Sequence, residues 1–240
     1  MAGHSKWANI KHRKGKADAL KGKMFSRVTK EIITAVKEGG SDPKNNPRLR
    51  IAIQKAKEVN LPNENIERNI KKAMSTDQAG FVTSMYEIYG HGGVGIIVDI
   101  FTDNKNRTAG EVRIAINKCG GNIASPGSVS FNFERKGVIQ VLKTQALEEE
   151  LFLMATEAGA EDFEVTDDLY VIITDPGQVA QVRTALEQKG VKFEETTLEM
   201  IPKSSVECNE ENFQANMKLV EWLEGLDDVD AVFHNARPTE

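Results

Sequence analysis

The sequence predicts an α+β fold: an N-terminal three-helix domain followed by two α/β domains, one ferredoxin-like (βαββαβ) and inserted in the other. Three observations carry this. Apolar residues recur at helical spacing from Ala17 to about residue 75, β-branched runs then alternate with helical stretches, and a strand-helix-strand-strand-helix-strand order fills Gly137 to about Met200. A chain of 240 residues with 40% apolar content is long enough for two or three cores.

Residues 2 to 16 hold one large aromatic, Trp7, one branched aliphatic, Ile10, and many cations, so they cannot build a core alone. From Ala17 the spacing predicts a helix whose stripe is Leu20, Met24, Val28, Ile32 and Val36, widened by Phe25 and Ile33 and stopped at Gly39-Gly40. Asn46 and Pro47 are a cap and a first helical residue, and open a second helix with Leu49, Ala52, Ile53, Ala56 and Val59 inward. A third starts at Pro62 with Ile66, Ile70 and Ala73. With the arm before them, these helices make a first domain over 1–78.

Strands are expected at Met85–Tyr89 and Val94–Thr102, the second a dense β-branched run that reads as central. Asp103–Thr108 is a turn and cap cluster, followed by a helix from about Thr108 to Asn117 with Val112, Ile116 and Cys119 inward. Val129–Phe133 alternates like a half-buried strand. The βαββαβ order then runs through a strand at Val138–Leu142, a helix at Gln145–Ala158, strands at Asp162–Thr166 and Leu169–Thr174, a helix at Gly177–Lys189 and a strand at Val191–Thr197. After Pro202 come a helix opened by Asn209, with Phe213, Met217, Val220 and Leu223 inward, and a strand at Ala231–His234. A lone helix and strand cannot cover both their faces. They are therefore expected to return to the middle region, giving a discontinuous domain of 79–134 and 203–240 around an insertion at 135–202.

Charge is sorted along the chain. Residues 1–78 carry 18 basic and 8 acidic side chains; the remainder carries 13 and 28. A basic arm on an acidic body suits a protein that meets a polyanion at one end. The arm supplies Lys6, Lys11, His12, Arg13, Lys14, Lys16, Lys23 and Arg27 as candidate phosphate contacts, and Trp7 as a stacking or anchoring ring. Lys105, Asn106 and Arg107, at a helix start, are a second candidate phosphate contact.

Other chemistries find little support. Gly90-x-Gly92-x-x-Gly95 fits the dinucleotide pattern, but it leads into a strand, where a pyrophosphate site needs a helix, so the glycines read as a hairpin turn. The four histidines fall in the arm, the turn and the tail, and no nucleophile-elbow or zinc-protease pattern occurs; no catalytic residue, cofactor or metal is assigned. Cys119 and Cys208 form no CxxC pair, which points to a reducing compartment. No apolar run is long enough to span a membrane and no secretory h-region is present, so the cytoplasm is expected.

Several blocks are specific enough to suggest kinship: Ala2-Gly3-His4-Ser5-Lys6-Trp7-Ala8-Asn9-Ile10-Lys11-His12-Arg13-Lys14, Asn46-Pro47-Arg48-Leu49-Arg50, Asn65-Ile66-Glu67-Arg68, Tyr89-Gly90-x-Gly92-Gly93, Thr102–Thr108, Leu226-Asp227-Asp228-Val229 and His234-Asn235. Together they closely resemble the YebC/PmpR family, almost end to end. The resemblance implies three domains with the third inserted in the second, and a cytoplasmic, DNA-binding transcriptional regulator. It also implies kinship to mitochondrial translational activators of cytochrome c oxidase. The leading expectation is a non-enzymatic nucleic-acid-binding regulator of gene expression, acting on DNA, with protein partners held by the acidic domains. The alternative is a translation factor on ribosomal RNA or the ribosome. A third class is an enzyme acting on a phosphorylated small molecule near Gly90–Gly95 and Asn106, which loss of turnover on changing His91 or Arg107 would support.

Overall fold

The computed structural model describes residues 17–75 and 80–239, which divide into two compact units, one of residues 17–129 with 206–239 and one of Ser130–Ser205. In the first, α1 (Ala17–Gly39), α2 (Pro47–Glu58) and α3 (Asn63–Ser75) pack around Val28, Ile32, Ala35, Leu49, Ala56, Leu61 and Ile66. Asn46 fixes the first turn of the chain between them. Its Oδ1 accepts from Leu49 N at 3.0 Å, capping α2, while its Nδ2 donates to Ala35 O at 2.7 Å and Gly40 O at 2.8 Å, closing α1. The stripe drifts as expected for an every-fourth-residue repeat on a helix of 3.6 residues per turn. Met24, at its leading end, is 47% exposed, whereas Val28, Ile32 and Val36 are buried.

A four-stranded sheet in the order β3-β1-β2-β9 follows, built from β1 (Val82–Tyr89), β2 (Gly95–Thr102), β3 (Asn122–Ile123) and β9 (Val229–His234). Ile88, Ile96, Val98 and Ile100 lie against Val112, Ala115 and Ile116 of α4 (Lys105–Cys119) and Leu219, Val220 and Leu223 of α7 (Glu210–Glu224). So the C-terminal helix and strand return to the middle sheet, β9 pairing antiparallel with β2. α4 begins three residues ahead of the expected start because Asn104 is its cap, accepting from Arg107 N at 3.1 Å. Two short strands, β8 (Val206–Cys208) and β10 (Ala236–Pro238), pair in parallel and have too few residues to show an alternation in sequence.

The β1–β2 hairpin turns at Gly90–Gly93, as the strand context required, and a side chain from α7 determines its shape. Asn216, fully buried, accepts from His91 N at 2.8 Å and donates to His91 O at 3.0 Å. A Cβ on Gly90 would lie 2.1 Å from Asn216 Oδ1, and Gly92 and Gly93 hold φ of +68° and +81°.

In the unit Ser130–Ser205, β4 (Phe133–Leu142), α5 (Glu148–Ala158), β5 (Asp162–Val165), β6 (Leu169–Thr174), α6 (Val179–Gln188) and β7 (Glu195–Pro202) form the antiparallel sheet β5-β6-β4-β7, the ferredoxin-like order. Ile139, Val141, Tyr170 and Ile172 pack on Leu151, Ala155, Val182 and Leu186. Two expected strands are corrected. Val129–Phe133 is not one: Ser130–Asn132 is a single helical turn, Phe131 is 71% exposed, and Asn132 spends its side chain on Ser204, accepting from its N at 3.1 Å and donating to its O at 2.9 Å. The last strand lies later than Val191–Thr197, because Gly190 (φ +87°) turns the chain after α6 and Val191 is buried as Val191 N donates back to Leu186 O at 3.1 Å.

Asn216→Ala leaves the His91 N–H without a partner and its C=O with the Val94 N–H alone, at 3.4 Å, so it is expected to cost about 1–3 kcal/mol. The cost is read from the urea midpoint. Gly90→Ala should be destabilising alone, and the two changes together should cost less than their sum, since the first removes the atom that the second strikes. Additive losses would show that Asn216 does not shape the turn.

Candidate nucleic-acid interface

The cations expected to meet phosphates fall into three groups. Lys6, Trp7, Lys11, His12, Arg13, Lys14 and Lys16 lie outside the described residues. Lys23, Arg27 and Lys30 share one face of α1 at i, i+4 and i+7, and that face is turned toward the acidic segment around β9. Arg27 pairs with Asp230 at 3.0 Å and with Glu31 at 3.5 Å, and Lys23 Nζ lies 3.4 Å from Val229 O. Burial pushes the Lys23 ammonium below its ordinary pKa although Glu224, Asp230 and Asp227 pull it up; burial raises the Asp230 carboxyl against the pull of Arg27. Lys23 and Arg27, read from sequence as phosphate contacts, thus have carboxylate neighbours within the chain. A cation already neutralised by a fixed carboxylate has little counterion to release on binding a phosphate.

Lys30 goes deeper. Its ammonium donates to Asp227 O at 2.8 Å, Phe101 O at 3.0 Å and Asp228 Oδ1 at 3.2 Å, and sits 5.4 Å from the centre of the Phe81 ring. Asp228, with a side chain 3% exposed, is the hub of this region. Its Oδ2 accepts from Thr102 Oγ1 at 2.9 Å, Thr108 Oγ1 at 2.8 Å, and Arg107 Nη2 and Nε at 2.6 and 3.2 Å. Burial would raise the carboxyl's pKa, but the bonds from Arg107, Thr108, Thr102 and Lys30 outweigh it and hold the group at about 2. Arg107 also pairs with Asp103 at 2.9 Å, and these hydrogen bonds raise its own pKa.

The second candidate phosphate contact therefore divides. Arg107 is committed to Asp228 and Asp103, while Lys105 and Asn106 stand exposed on the first turn of α4. Sequence reading missed Asp228, Thr102 and Thr108 as partners. Their residue types suit a cap or a turn equally well, and nothing local joins Thr108 to a carboxylate 120 positions on.

His91 ties the hairpin turn to the end of α4. Its Nε2 lies 2.8 Å from Cys119 O, and a Cβ on Gly120 would strike the ring at 2.7 Å. Among the described residues no three His, Cys, Asp or Glu side chains are grouped to hold a metal, and no helix is long and apolar enough to cross a membrane.

The Asp228 hub makes a pH prediction with a definite sign. The folded carboxyl titrates at about 2 against 3.8 for the free group, so its contribution, about 2 kcal/mol, is complete above about pH 4 and is lost as pH falls through 2. Asp228→Asn leaves Lys30 without its counter-charge and Arg107 with Asp103 alone, is expected to cost about 3 kcal/mol at neutral pH, and should flatten this acid limb in pH-dependent urea unfolding. An unchanged acid limb in the variant would assign it to other carboxylates.

The chain matches the TACO1/YebC protein N-terminal domain over residues 5–76 and the TACO1/YebC second and third domain over 81–236. It is 62% identical over 240 residues to a probable transcriptional regulatory protein of Protochlamydia amoebophila, covering 100% of this chain and 98% of that one. A protein of the same description from Chlamydia pneumoniae is 56% identical over 236 residues, covering 98% and 99%. A crystal structure of a conserved hypothetical protein from Aquifex aeolicus superposes with a TM-score of 0.83 at 45% identity, covering 98% of each chain. By both domain matches and by full-length identity to these relatives, the chain belongs to the TACO1/YebC family.

Proposed function

We propose that this protein is a cytoplasmic, non-enzymatic regulator of transcription that grips DNA through its cationic leading segment. One observation carries the reading: residues 1–16 hold Lys6, Lys11, Arg13, Lys14 and Lys16 with no acidic residue among them, in a chain whose net charge is −5. The names of the relatives, probable transcriptional regulatory proteins, point the same way. Lys6, Lys11, Arg13, Lys14 and Lys16 neutralise phosphates, His12 adds a donor, and Trp7 stacks or anchors. Lys23 and Arg27 serve the interior instead, orienting α1 against the acidic segment.

Residues 79–240 carry 13 basic and 28 acidic side chains, so most of the body repels the polymer that the arm attracts, and orients the encounter. In this reading residues 135–202 are an inserted acidic module available to protein partners.

If five cations each neutralise a phosphate, log K should fall with log salt at a slope of about −4.5 on duplex DNA and about −3.5 on a single strand. Anisotropy titrations of the full chain over a salt series measure this. Lys11→Glu, Arg13→Glu and Lys14→Glu together should abolish most of the slope and weaken binding at least 100-fold. A triple variant that binds duplex DNA like the unaltered chain would remove the arm from the interface. Retention on ribosomes at salt concentrations that release DNA would move the target to ribosomal RNA.

A further inference from the structure

The outward face of α4 has a composition that its packing does not explain. Val112, Ala115 and Ile116 point into the core, so Asn106, Gly110, Arg113 and Asn117, at i, i+4, i+7 and i+11, form a ridge on the opposite side, and all four are exposed. Gly110 sits in the middle of a 15-residue helix, where glycine is the poorest residue short of proline. A Cβ there would meet nothing within 4 Å, and its φ is not positive, so neither crowding nor backbone conformation calls for glycine.

Most of the cations on this helix are not held by carboxylates. Arg107 is held by two carboxylates, and Arg27, Lys55, Lys136, Lys189 and Arg237 each pair with at least one. Lys105, Arg113 and Lys118 have no acidic residue three or four positions away on their own helix, and no carboxylate pairs with them among the described residues. Ile114, beside Gly110, is 54% exposed. Three open cations against one acid, Glu111, with amide side chains on both sides of a bare backbone patch and one apolar contact, are complementary to a sugar-phosphate surface approached closely.

We propose that this ridge is a second DNA-contact face: Gly110 lets the duplex backbone approach the helix, Arg113 meets a phosphate with Lys105 and Lys118 flanking it, and Asn106 and Asn117 donate to phosphate oxygens or base edges. The inference rests on the reading of the protein as a DNA binder and adds a face that the arm does not supply. Lys105 and Asn106 belong to it through the helix surface, independently of Arg107.

Gly110→Gln gives the test its discrimination, because it improves the helix while filling the approach. In the full chain it should raise the melting temperature by about 2–4 °C and weaken binding to a fluorescein-labelled mixed-sequence duplex about tenfold. Arg113→Glu should weaken binding by about tenfold or more and make the salt slope shallower by about 1. Lys192→Glu, the same charge change at an exposed site in the unit Ser130–Ser205, should leave binding within about twofold of the unaltered chain.

If the unaltered chain binds the duplex and both ridge variants bind it equally well, the ridge is overturned and the arm reading stands. A loss from Lys192→Glu as large as that from Arg113→Glu would overturn it too, by showing a response to net charge alone. Losses confined to a folded RNA probe would overturn the choice of DNA. If the unaltered chain fails to hold the duplex, the DNA reading itself fails and the ridge goes with it.

Discussion

The buried Asp228 carboxylate is the constraint on which the placement of the charged surfaces depends. An ionised carboxylate away from water costs several kcal/mol, recovered only when its lone pairs are filled by well-placed donors and its charge is balanced. Here the donors come from three remote parts of the chain: Lys30 on α1, Thr102 at the end of β2, and Arg107 and Thr108 on the first turn of α4. Thr108 Oγ1 lies 2.9 Å from Thr102 Oγ1, and Asn104 N donates to Thr102 Oγ1 at 2.9 Å, so the hub and the cap of α4 are one network. Its geometry fixes two orientations at once. Lys30 sets the rotation of α1, which turns Lys23 and Arg27 toward the acidic segment. Arg107 and Thr108 set the rotation of α4, which leaves Asn106, Gly110 and Arg113 outward.

This sorting gives the cations different roles. A surface ion pair contributes little to stability, a median of about 0–1 kcal/mol, but it removes the cation from competition for a polyanion. On α1 the pairs fall on the side facing Asp228 and Asp230. On α4 one arginine is consumed by the hub and the remaining three cations are left open. Net charge alone would miscount the cations open to a polyanion. The count of nine basic residues in the first thirty includes three that already have partners, while α4, on the acidic body, carries three open cations against one acid, Glu111.

What could be read from sequence was local. The caps Asn46 and Asn209 each accept a backbone N–H three residues on, so the starts of α2 and α7 follow from neighbours in the chain, whereas Asn104 caps α4 from inside the cluster read as a turn. The glycine turn was readable because a strand, with no helix after it, excludes a pyrophosphate site. Its cause was not, since Asn216 lies 125 positions from His91. The Phe131 segment failed because period-two alternation over five residues is weak beside a side chain that bonds the backbone of Ser204. The strand expected at Val191 failed in its boundary alone, because a buried valine in a loop looks like the first residue of a strand. In the candidate site, the sequence offered the arm, Lys105 and Asn106 as charge at a leading segment and at a helix start. The partners of Lys23, Arg27 and Arg107 around β9 were not, because each lies more than a hundred residues away.

The distance in sequence between arm and ridge has a physical consequence. A cluster of cations on a leading segment supplies affinity without choosing a sequence, because phosphates are alike along the duplex. A helix face carrying Asn and Arg side chains has the donors that base edges distinguish, but three cations and two amides are too few to hold DNA unaided at physiological salt. In the proposed mode of binding the two are joined in one chain, so attachment through the arm would raise the effective concentration of the ridge and bring the weaker, more selective contact to useful occupancy. The hub then matters beyond stability. A helix free to rotate about its axis would offer the duplex a changing set of side chains, and Asp228, by gripping Arg107 and Thr108, fixes which ones it presents.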